Sequence, residues 1–236
     1  MNRRLLPAAT FLSLLIACAE EDLPVPSVPA SAPPASAPSV AFMGDSITAG
    51  LHVDDAHSFS AVLQQRFAER GEPFRRIQAG VSGDTSAGGR RRIDWLLRQE
   101  PDVVVIELGG NDGLRGIPLD VIAENLTRII ERAQAADVET LLLGMRIPEN
   151  YGEYAREFAG LYPRIAEETG AHYLDYFMDG VGARPEMNVE DQLHPNELGH
   201  ARLADNLEPT LERILASVRQ RASSEMGEAT ESASMR

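Results

Sequence analysis

The sequence predicts an α/β fold in which a mainly parallel five-stranded sheet lies between two layers of helices. Short apolar runs alternate along the chain with longer segments of helical spacing, and glycines stand at the ends of several of them. Alternation of this kind implies βαβ units, and therefore parallel strands joined by right-handed crossovers. Since five strands with helices on both faces form a doubly wound sheet, the predicted architecture is three-layer α/β/α and flavodoxin-like.

The predicted strands are brief and, apart from residues 74–78, mostly apolar, whereas the predicted helices repeat apolar residues at intervals of three and four. We expect strands at residues 40–43, 74–78, 103–106, 140–143 and 172–174. We expect helices at residues 58–70, 86–99, 118–136, 154–169 and 196–219. The third of these helices has the clearest pattern, with a proline at its start and apolar residues along one face.

Composition divides the chain into four segments. Residues 1–17 begin with two arginines and continue as an apolar core that is shorter than the ~20 residues needed to span a bilayer, so they are typical of a secretory signal peptide. Residues 18–39 are rich in Pro, Ala and Ser and are expected to form an extended tether. Residues 40–219 form the predicted globular domain, and the polar residues 220–236 are expected to be disordered.

Charge and cysteine content exclude several function classes. The net charge is −14 and there is no lysine, which argues against nucleic-acid binding because phosphate neutralisation needs clustered positive charge. The one basic run, Arg90-Arg91-Arg92, is interpreted as a solvated helix face. Cys18 is the only cysteine, so no intrachain disulfide can form. The five histidines lack the spacing of common zinc motifs, and we expect no metal and no cofactor.

Polar and glycine-rich residues follow four of the predicted strands. The carboxyl ends of parallel strands meet at one edge of a sheet, so these segments are expected to converge there. They are Gly44-Asp45-Ser46, residues 79–85, residues 109–113 and residues 145–148. Taken singly, each has an ordinary interpretation, because a serine after a strand often caps a helix and a Gly-Gly-Asn-Asp run is a common turn.

A histidine with a local acid, near the C-terminus, makes a catalytic interpretation of Ser46 more convincing. Asp191 stands three residues before His194, in a loop ahead of the last predicted helix, where its carboxylate can hold the imidazole in one tautomer. A serine nucleophile needs such a base and a group that orients it. His200, inside the last helix, is interpreted as an ordinary surface or packing residue.

Four separated blocks of the sequence together resemble a known enzyme family. Gly44-Asp45-Ser46-Ile47, Gly83, Gly109-Gly110-Asn111-Asp112 and Asp191-x-x-His194-Pro195 are similar to the blocks of the SGNH hydrolases, also called GDSL-type esterases or lipases. Residues 81–89 and 146–152 resemble the bacterial periplasmic thioesterase, lysophospholipase and arylesterase branch of that family. The resemblance covers residues 40–217, which makes it more specific than one motif.

The resemblance implies a role for each matching residue. Ser46 would be the nucleophile, His194 the general base and acid, and Asp191 the residue that orients His194. The oxyanion hole would consist of the backbone N–H groups of Ser46 and Gly83 and the side-chain amide of Asn111. Two further acids of the motifs, Asp45 and Asp112, are expected to brace the loops.

The resemblance also implies an apolar acyl groove between two loops. Leu114 and Ile117 would form one wall, and Met145 and Ile147, with the neighbouring proline, the other. The alternative is that Leu114 and Ile117 are simply packed under their loop.

The end of the signal segment, Leu15-Ile16-Ala17-Cys18, resembles the lipobox of a bacterial lipoprotein. Cys18 would then carry the lipid that anchors a monomeric enzyme at the periplasmic face of a membrane in the cell envelope. The alternative is an ordinary signal peptide with an unrelated cysteine.

The sequence therefore predicts a carboxylic ester hydrolase that acts on small acyl or aryl esters, thioesters or lysophospholipids. Two alternatives remain open. One is a carbohydrate O-acetylesterase, since the same family includes such enzymes. The other is a tethered binding module that has the fold without the turnover.

Overall fold

The computed structural model describes residues 33–234. The predicted signal peptide, the lipidation site at Cys18 and most of the predicted tether lie outside these residues. Residues 33–38 form a turn, and Ser39, which was expected to end the tether, is instead the first residue of a strand. Ser39 is buried, and both its N–H and its hydroxyl donate to the carboxylate of Asp102, so it is fixed to the globular domain.

Five strands form one sheet, and all four pairings between neighbours are parallel. The strands are β1 Ser39–Gly44, β2 Arg75–Gly80, β3 Val103–Glu107, β4 Glu139–Leu143 and β5 His172–Leu174. Their order in the sheet is β2-β1-β3-β4-β5, which is the order of a flavodoxin-like doubly wound sheet. The predicted fold class is confirmed, and each predicted strand lies within three residues of its observed bounds.

Within residues 33–234, seven α-helices accompany the sheet. They are α1 Ser46–Ala49, α2 Phe59–Glu69, α3 Ser86–Leu97, α4 Gly110–Leu114, α5 Leu119–Gln134, α6 Glu153–Thr169 and α7 Glu197–Ser234. Helices α3, α5 and α6 pack side by side, and α2 packs against α7. Right-handed crossovers from β1 place these two groups on opposite faces of the sheet. No helix of the described residues is both long and apolar enough to cross a membrane.

The end of α7 differs from the prediction. The helix continues through Ser234, whereas a disordered tail was expected from residue 220. The sequence beyond residue 220 is rich in Ala, Glu and Ser and contains no proline, and Gly227 is its one strongly helix-weakening residue, so a helix started by the packed residues before it can continue.

Strand β1 lies inside the sheet, between β2 and β3, and sets the position of the loops that follow these three strands. All six of its residues are buried, and Gly44 at its end is paired with Gly80 of β2 on one side and Glu107 of β3 on the other. The three strands therefore end side by side, at the same edge of the sheet. The chain segments that follow them begin at the same edge of the sheet, as predicted.

Candidate active site

Ser46 is held at the start of the short helix α1 by the residues immediately before it. The carboxylate of Asp45 accepts a hydrogen bond from the N–H of Ile47 over 3.0 Å and so caps the helix. A Cβ at Gly44 would overlap the hydroxyl of Thr48 and the carboxyl of Glu107, so only glycine fits at the turn out of the strand. The serine hydroxyl is thereby presented at the sheet edge on a rigid turn.

His194 and Asp191 reach Ser46 from the far end of the chain. The Nε2 atom of His194 lies 2.8 Å from Oγ of Ser46, and its Nδ1 atom lies 2.6 Å from a carboxylate oxygen of Asp191. The loop is closed by the bond from the N–H of Val189 to the carbonyl of His194, and the Asn196 amide donates to the carbonyls of Glu186 and Asn188. The structure thus brings together all three residues predicted to form the catalytic triad.

The carboxylate of Asp191 is held in its charged form. It accepts hydrogen bonds from the ring of His194 and from the backbone N–H groups of His194 and Leu193, at 3.0 and 2.8 Å for the latter two. These bonds hold the pKa of Asp191 well below its usual range, and the bond to the imidazole has the largest effect. A charged carboxylate at this position keeps the proton of the neutral imidazole on Nδ1, which leaves Nε2 as the acceptor that faces Ser46.

Asn111 lies on helix α4, directly after the third strand. Gly109 makes the turn into this helix with φ +106°, and a Cβ there would overlap the hydroxyl of Tyr162. The side-chain amide of Asn111 donates to Asp45 over 2.9 Å. Because the amide carries two N–H groups and Asp45 uses one, the second is available for another acceptor, and Asn111 lines the cavity that contains Ser46.

Gly83 lies in the exposed turn that follows β2, with φ +78°. The turn is closed by the N–H of Asp84, which donates to Val81, and the carbonyl of Gly83 accepts from the guanidinium of Arg115 over 3.3 Å. Arg115 follows α4, so this contact joins the turn of Gly83 to the helix that carries Asn111.

A buried acid that sequence reasoning missed lies beneath these residues. Glu107, the last residue of β3, is fully buried, and its Oε2 atom accepts from the N–H of Asp45 (3.2 Å) and from both the N–H (3.2 Å) and the hydroxyl (2.8 Å) of Thr48. Burial, and next the nearby Asp45 carboxylate, raise the pKa of Glu107 well above its ordinary value. The signal was present in the sequence, as an acid that continues the apolar run of residues 103–106.

Two other polar residues have structural roles. Asp112 is buried and accepts from the N–H and the hydroxyl of Ser86, at 2.8 and 2.6 Å, so it braces the loops. Arg92 was interpreted as part of a solvated face, which is wrong. Its guanidinium donates to the carbonyls of Gly44 and Ala79 and to Asp84, and so joins the ends of β1 and β2 to the following turn.

A cavity of about 600 Å³ opens beside Ser46 and His194. Its other lining residues are mostly apolar, and include Leu114, Met145, Ile147, Pro148, Met178 and Leu193. Of the four residues predicted to line a groove, Ile117 does not do so, because its side chain packs against the core and its carbonyl accepts from the Tyr154 hydroxyl. Met178 and Leu193 were missed, since they come from loops around β5 and His194 that carry no apolar pattern.

Comparison with known proteins assigns the chain to a family. The model of the GDSL-like Lipase/Acylhydrolase family matches residues 42–202, most of the described chain. The chain belongs to this family. Esterase TesA of Pseudomonas aeruginosa is 40% identical over 183 residues, which are 77% of this chain and 91% of that protein. Thioesterase 1/protease 1/lysophospholipase L1 of Escherichia coli is 34% identical over 77% of this chain and 86% of its own.

A solved structure of a similar protein agrees with the fold described above. The psychrotrophic esterase EstA from Pseudoalteromonas sp., inhibited by monoethylphosphonate, is 34% identical and has a TM-score of 0.72. The match covers 75% of this chain and 98% of EstA. The predicted family and the predicted enzyme class, a carboxylic ester hydrolase, are confirmed.

Proposed function

We propose that the protein is a serine esterase that hydrolyses acyl or aryl esters and thioesters through an acyl-enzyme, with Ser46 as nucleophile, His194 as base and Asp191 as its orienting acid. The observation that carries the proposal is the continuous chain of short hydrogen bonds from Ser46 through His194 to Asp191, at the mouth of an apolar cavity. A serine distant from a base would have no such partner.

In the first step, Oγ of Ser46 attacks the carbonyl carbon of the substrate while Nε2 of His194 takes the hydroxyl proton. The imidazolium that forms is stabilised by the carboxylate of Asp191, which lies 2.6 Å from Nδ1. The proton on Nε2 then passes to the alcohol or thiol that leaves. Water next attacks the acyl-enzyme, with His194 again as the base, and free acid and enzyme are released.

The negative charge that develops on the substrate oxygen would be stabilised by three neutral donors. The N–H of Ser46 belongs to the first turn of a helix, where no intrahelical acceptor is available. The second N–H of Asn111 and the N–H of Gly83 complete the set. Because these donors sit on turns fixed by Asp45 and Arg115, they need little reorganisation as charge appears.

The size and the lining of the cavity suggest that it binds an acyl or aryl group of the substrate. A volume of about 600 Å³ lies within the range typical of small-molecule sites, and the lining is mostly apolar. The similar proteins named esterase and thioesterase 1/protease 1/lysophospholipase L1 support esters, thioesters or lysophospholipids as the substrate class. An acetyl group on a carbohydrate would leave most of such a cavity empty.

A panel of p-nitrophenyl esters from acetate to laurate tests this substrate class. We expect kcat/KM to rise with chain length up to the capacity of the cavity, and Leu114→Ala to change that dependence, because Leu114 lines the cavity. Leu198→Ala is the matched control, since Leu198 is exposed on α7 and is not among the lining residues. Equal turnover of all chain lengths in both variants, with strong activity on acetylated xylan, would favour the carbohydrate O-acetylesterase instead.

We further propose that the mature enzyme is a monomer held in the bacterial cell envelope by a lipid on Cys18. The support is sequence alone: a signal segment that ends Leu15-Ile16-Ala17-Cys18, followed by a proline-rich stretch. Metabolic labelling with an alkynyl fatty acid should mark the wild type but not Cys18→Ser. Release of the intact wild-type protein from membranes by high salt would contradict the anchor.

A further inference from the structure

His52 lies beside the proposed base and is not used by the mechanism above. Its ring centroid is 5.6 Å from that of His194, and the two rings meet edge to face at 72°. Ligand atoms of His52, His194 and Asp191 all lie within 4.8 Å of one another. Histidine nitrogens and carboxylate oxygens are common ligands of zinc.

The backbone around His52 fixes its position relative to Ser46. After helix α1 the chain folds back, with the N–H of Leu51 bonded to the carbonyl of Ser46 and that of Val53 bonded to Gly50. His52 itself has φ +74°, a left-handed conformation that few residues other than glycine adopt. The turn that begins with the proposed nucleophile therefore returns the His52 imidazole to the edge of His194.

We propose that His52, His194 and Asp191 form a binding site for Zn²⁺ or a similar borderline transition-metal ion that reversibly inhibits the enzyme. His52 and Asp191 are exposed and His194 is half-buried, so an ion reaches them from solvent. In a tetrahedral zinc site with bonds of 2.0–2.2 Å the ligand atoms stand about 3.4 Å apart. The exposed side chains of His52 and Asp191 would have to adjust, because Nδ1 of His194 and the Asp191 carboxylate are now 2.6 Å apart and the other ligand atoms up to 4.8 Å apart; water would complete the coordination.

Occupation of this site removes the base whichever nitrogen of His194 binds the ion. Bound at Nε2, the ion uses the lone pair that otherwise accepts the proton of Ser46. Bound at Nδ1, the ion displaces the single imidazole proton to Nε2, where it faces Ser46 and leaves no lone pair to act as base. Only the Nδ1 mode brings the carboxylate of Asp191 onto the ion, in exchange for its hydrogen bond to the ring; in the Nε2 mode that hydrogen bond is retained. The inhibition, though not the binding, rests on the function proposed above for His194.

Isothermal titration calorimetry with ZnCl₂ on the purified protein tests the binding. We expect one saturable site in the wild type. His52→Asn should lower its zinc affinity by about 10–100-fold or more, because removal of even an outer-shell partner of a metal ligand causes a loss of that size. Asparagine tolerates the left-handed backbone, and His52→Gly provides a second variant that fits the same conformation. His57→Asn is the matched control, because His57 lies nearby in sequence and is paired with Glu197.

Inhibition is then measured as the esterase rate of each variant in the presence of Zn²⁺, divided by the rate of the same variant without metal. We expect Zn²⁺ to inhibit the wild type and His57→Asn, EDTA to restore the rate, and the inhibitory concentration to rise for both His52 variants in step with their weaker binding. Mg²⁺, which prefers oxygen ligands, should not inhibit at the same concentration. Zinc affinity that is unchanged in both His52 variants, or no saturable binding to the wild type, would overturn the site. Because calorimetry needs no turnover, it decides the site even if the esterase assay fails.

Discussion

The carboxylate of Asp45 accepts a hydrogen bond from the side-chain amide of Asn111 over 2.9 Å, and so joins the residue before the proposed nucleophile to a proposed oxyanion donor 66 positions away. The other oxygen of Asp45 caps the helix that begins at Ser46. One buried acid therefore positions both the nucleophile and a donor. The geometry of the oxyanion hole thus depends on a residue that need not touch the substrate.

Replacement of Asn111 by alanine should lower kcat by ~10²–10³, the usual cost of one oxyanion-hole donor, with little change in KM. The reason is that its amide would stabilise charge that exists only in the transition state. The measurement is steady-state hydrolysis of p-nitrophenyl butyrate, with thermal unfolding as a check that the fold is retained. A variant with unchanged kcat would remove Asn111 from the oxyanion hole.

Asp45→Ala should lower kcat in large part through Asn111, although the carboxylate of Asp45 also caps the helix that begins at Ser46. We expect a loss of about tenfold or more in the single variant, and much less than the product of the two losses in the double variant with Asn111→Ala, since residues that share one hydrogen bond are not additive. Asp54→Ala, at an exposed acid nearby, is the control. Fully multiplicative losses in the double-mutant cycle would show that Asp45 does not act through Asn111.

Asp191→Asn should reduce kcat on the order of 10³–10⁴, because an amide no longer fixes the productive tautomer of His194 or stabilises its charged form. Glu190→Gln is a matched control, since Glu190 is the adjacent exposed acid. Rates are compared in the plateau of the pH profile, so that a shift in titration is not mistaken for a loss of turnover. Equal rates for the two variants would exclude Asp191 from the triad.

His200 should make the protein less stable as the pH falls from about 6.5 to about 4. Its ring is fully buried against Phe59 and accepts from the Phe59 N–H over 3.2 Å, and burial lowers its pKa to about 4. The unfolded chain binds a proton at this histidine from pH 6.5 downward while the folded chain does not, so unfolding becomes more favourable by about 2 kcal/mol at pH 4.5.

Urea unfolding at pH 7 and pH 4.5 measures this effect of His200. The loss of stability between the two values should be smaller in His200→Gln, which retains an acceptor, and unchanged in the exposed control His57→Gln. The same loss in all three proteins would mean that other groups control the acid sensitivity.

The fold was predictable because the apolar runs of β1, β3 and β4 are nearly continuous and the helix ends carry capping residues and glycines. The run at 103–106 and the Gly44-Asp45-Ser46 turn, for example, are both observed where the sequence places them. The long extension of α7 was not predicted, since a polar composition is compatible with disorder and with an exposed helix alike.

The candidate site was predictable in its motif residues and not in its supporting contacts. Ser46, Asn111 and His194 were found because the resemblance marks them in sequence. Glu107 and Arg92 were missed because their hydrogen-bond partners are distant in sequence. The position of Glu107 at the end of an apolar run, and of Arg92 on a helix, does not identify those partners. Ile117 was wrongly assigned to the cavity, because spacing along a loop does not fix which way a side chain points.

The most direct test of the proposed mechanism is mass-spectrometric mapping of the adduct formed with a fluorophosphonate probe, a reagent of the same phosphorus chemistry as the phosphonate that inhibits the similar esterase EstA. We predict a single adduct on Ser46 in the wild type, slower labelling in His194→Ala, and neither adduct nor ester turnover in Ser46→Ala. An adduct on another residue, or wild-type turnover by Ser46→Ala, would contradict the mechanism.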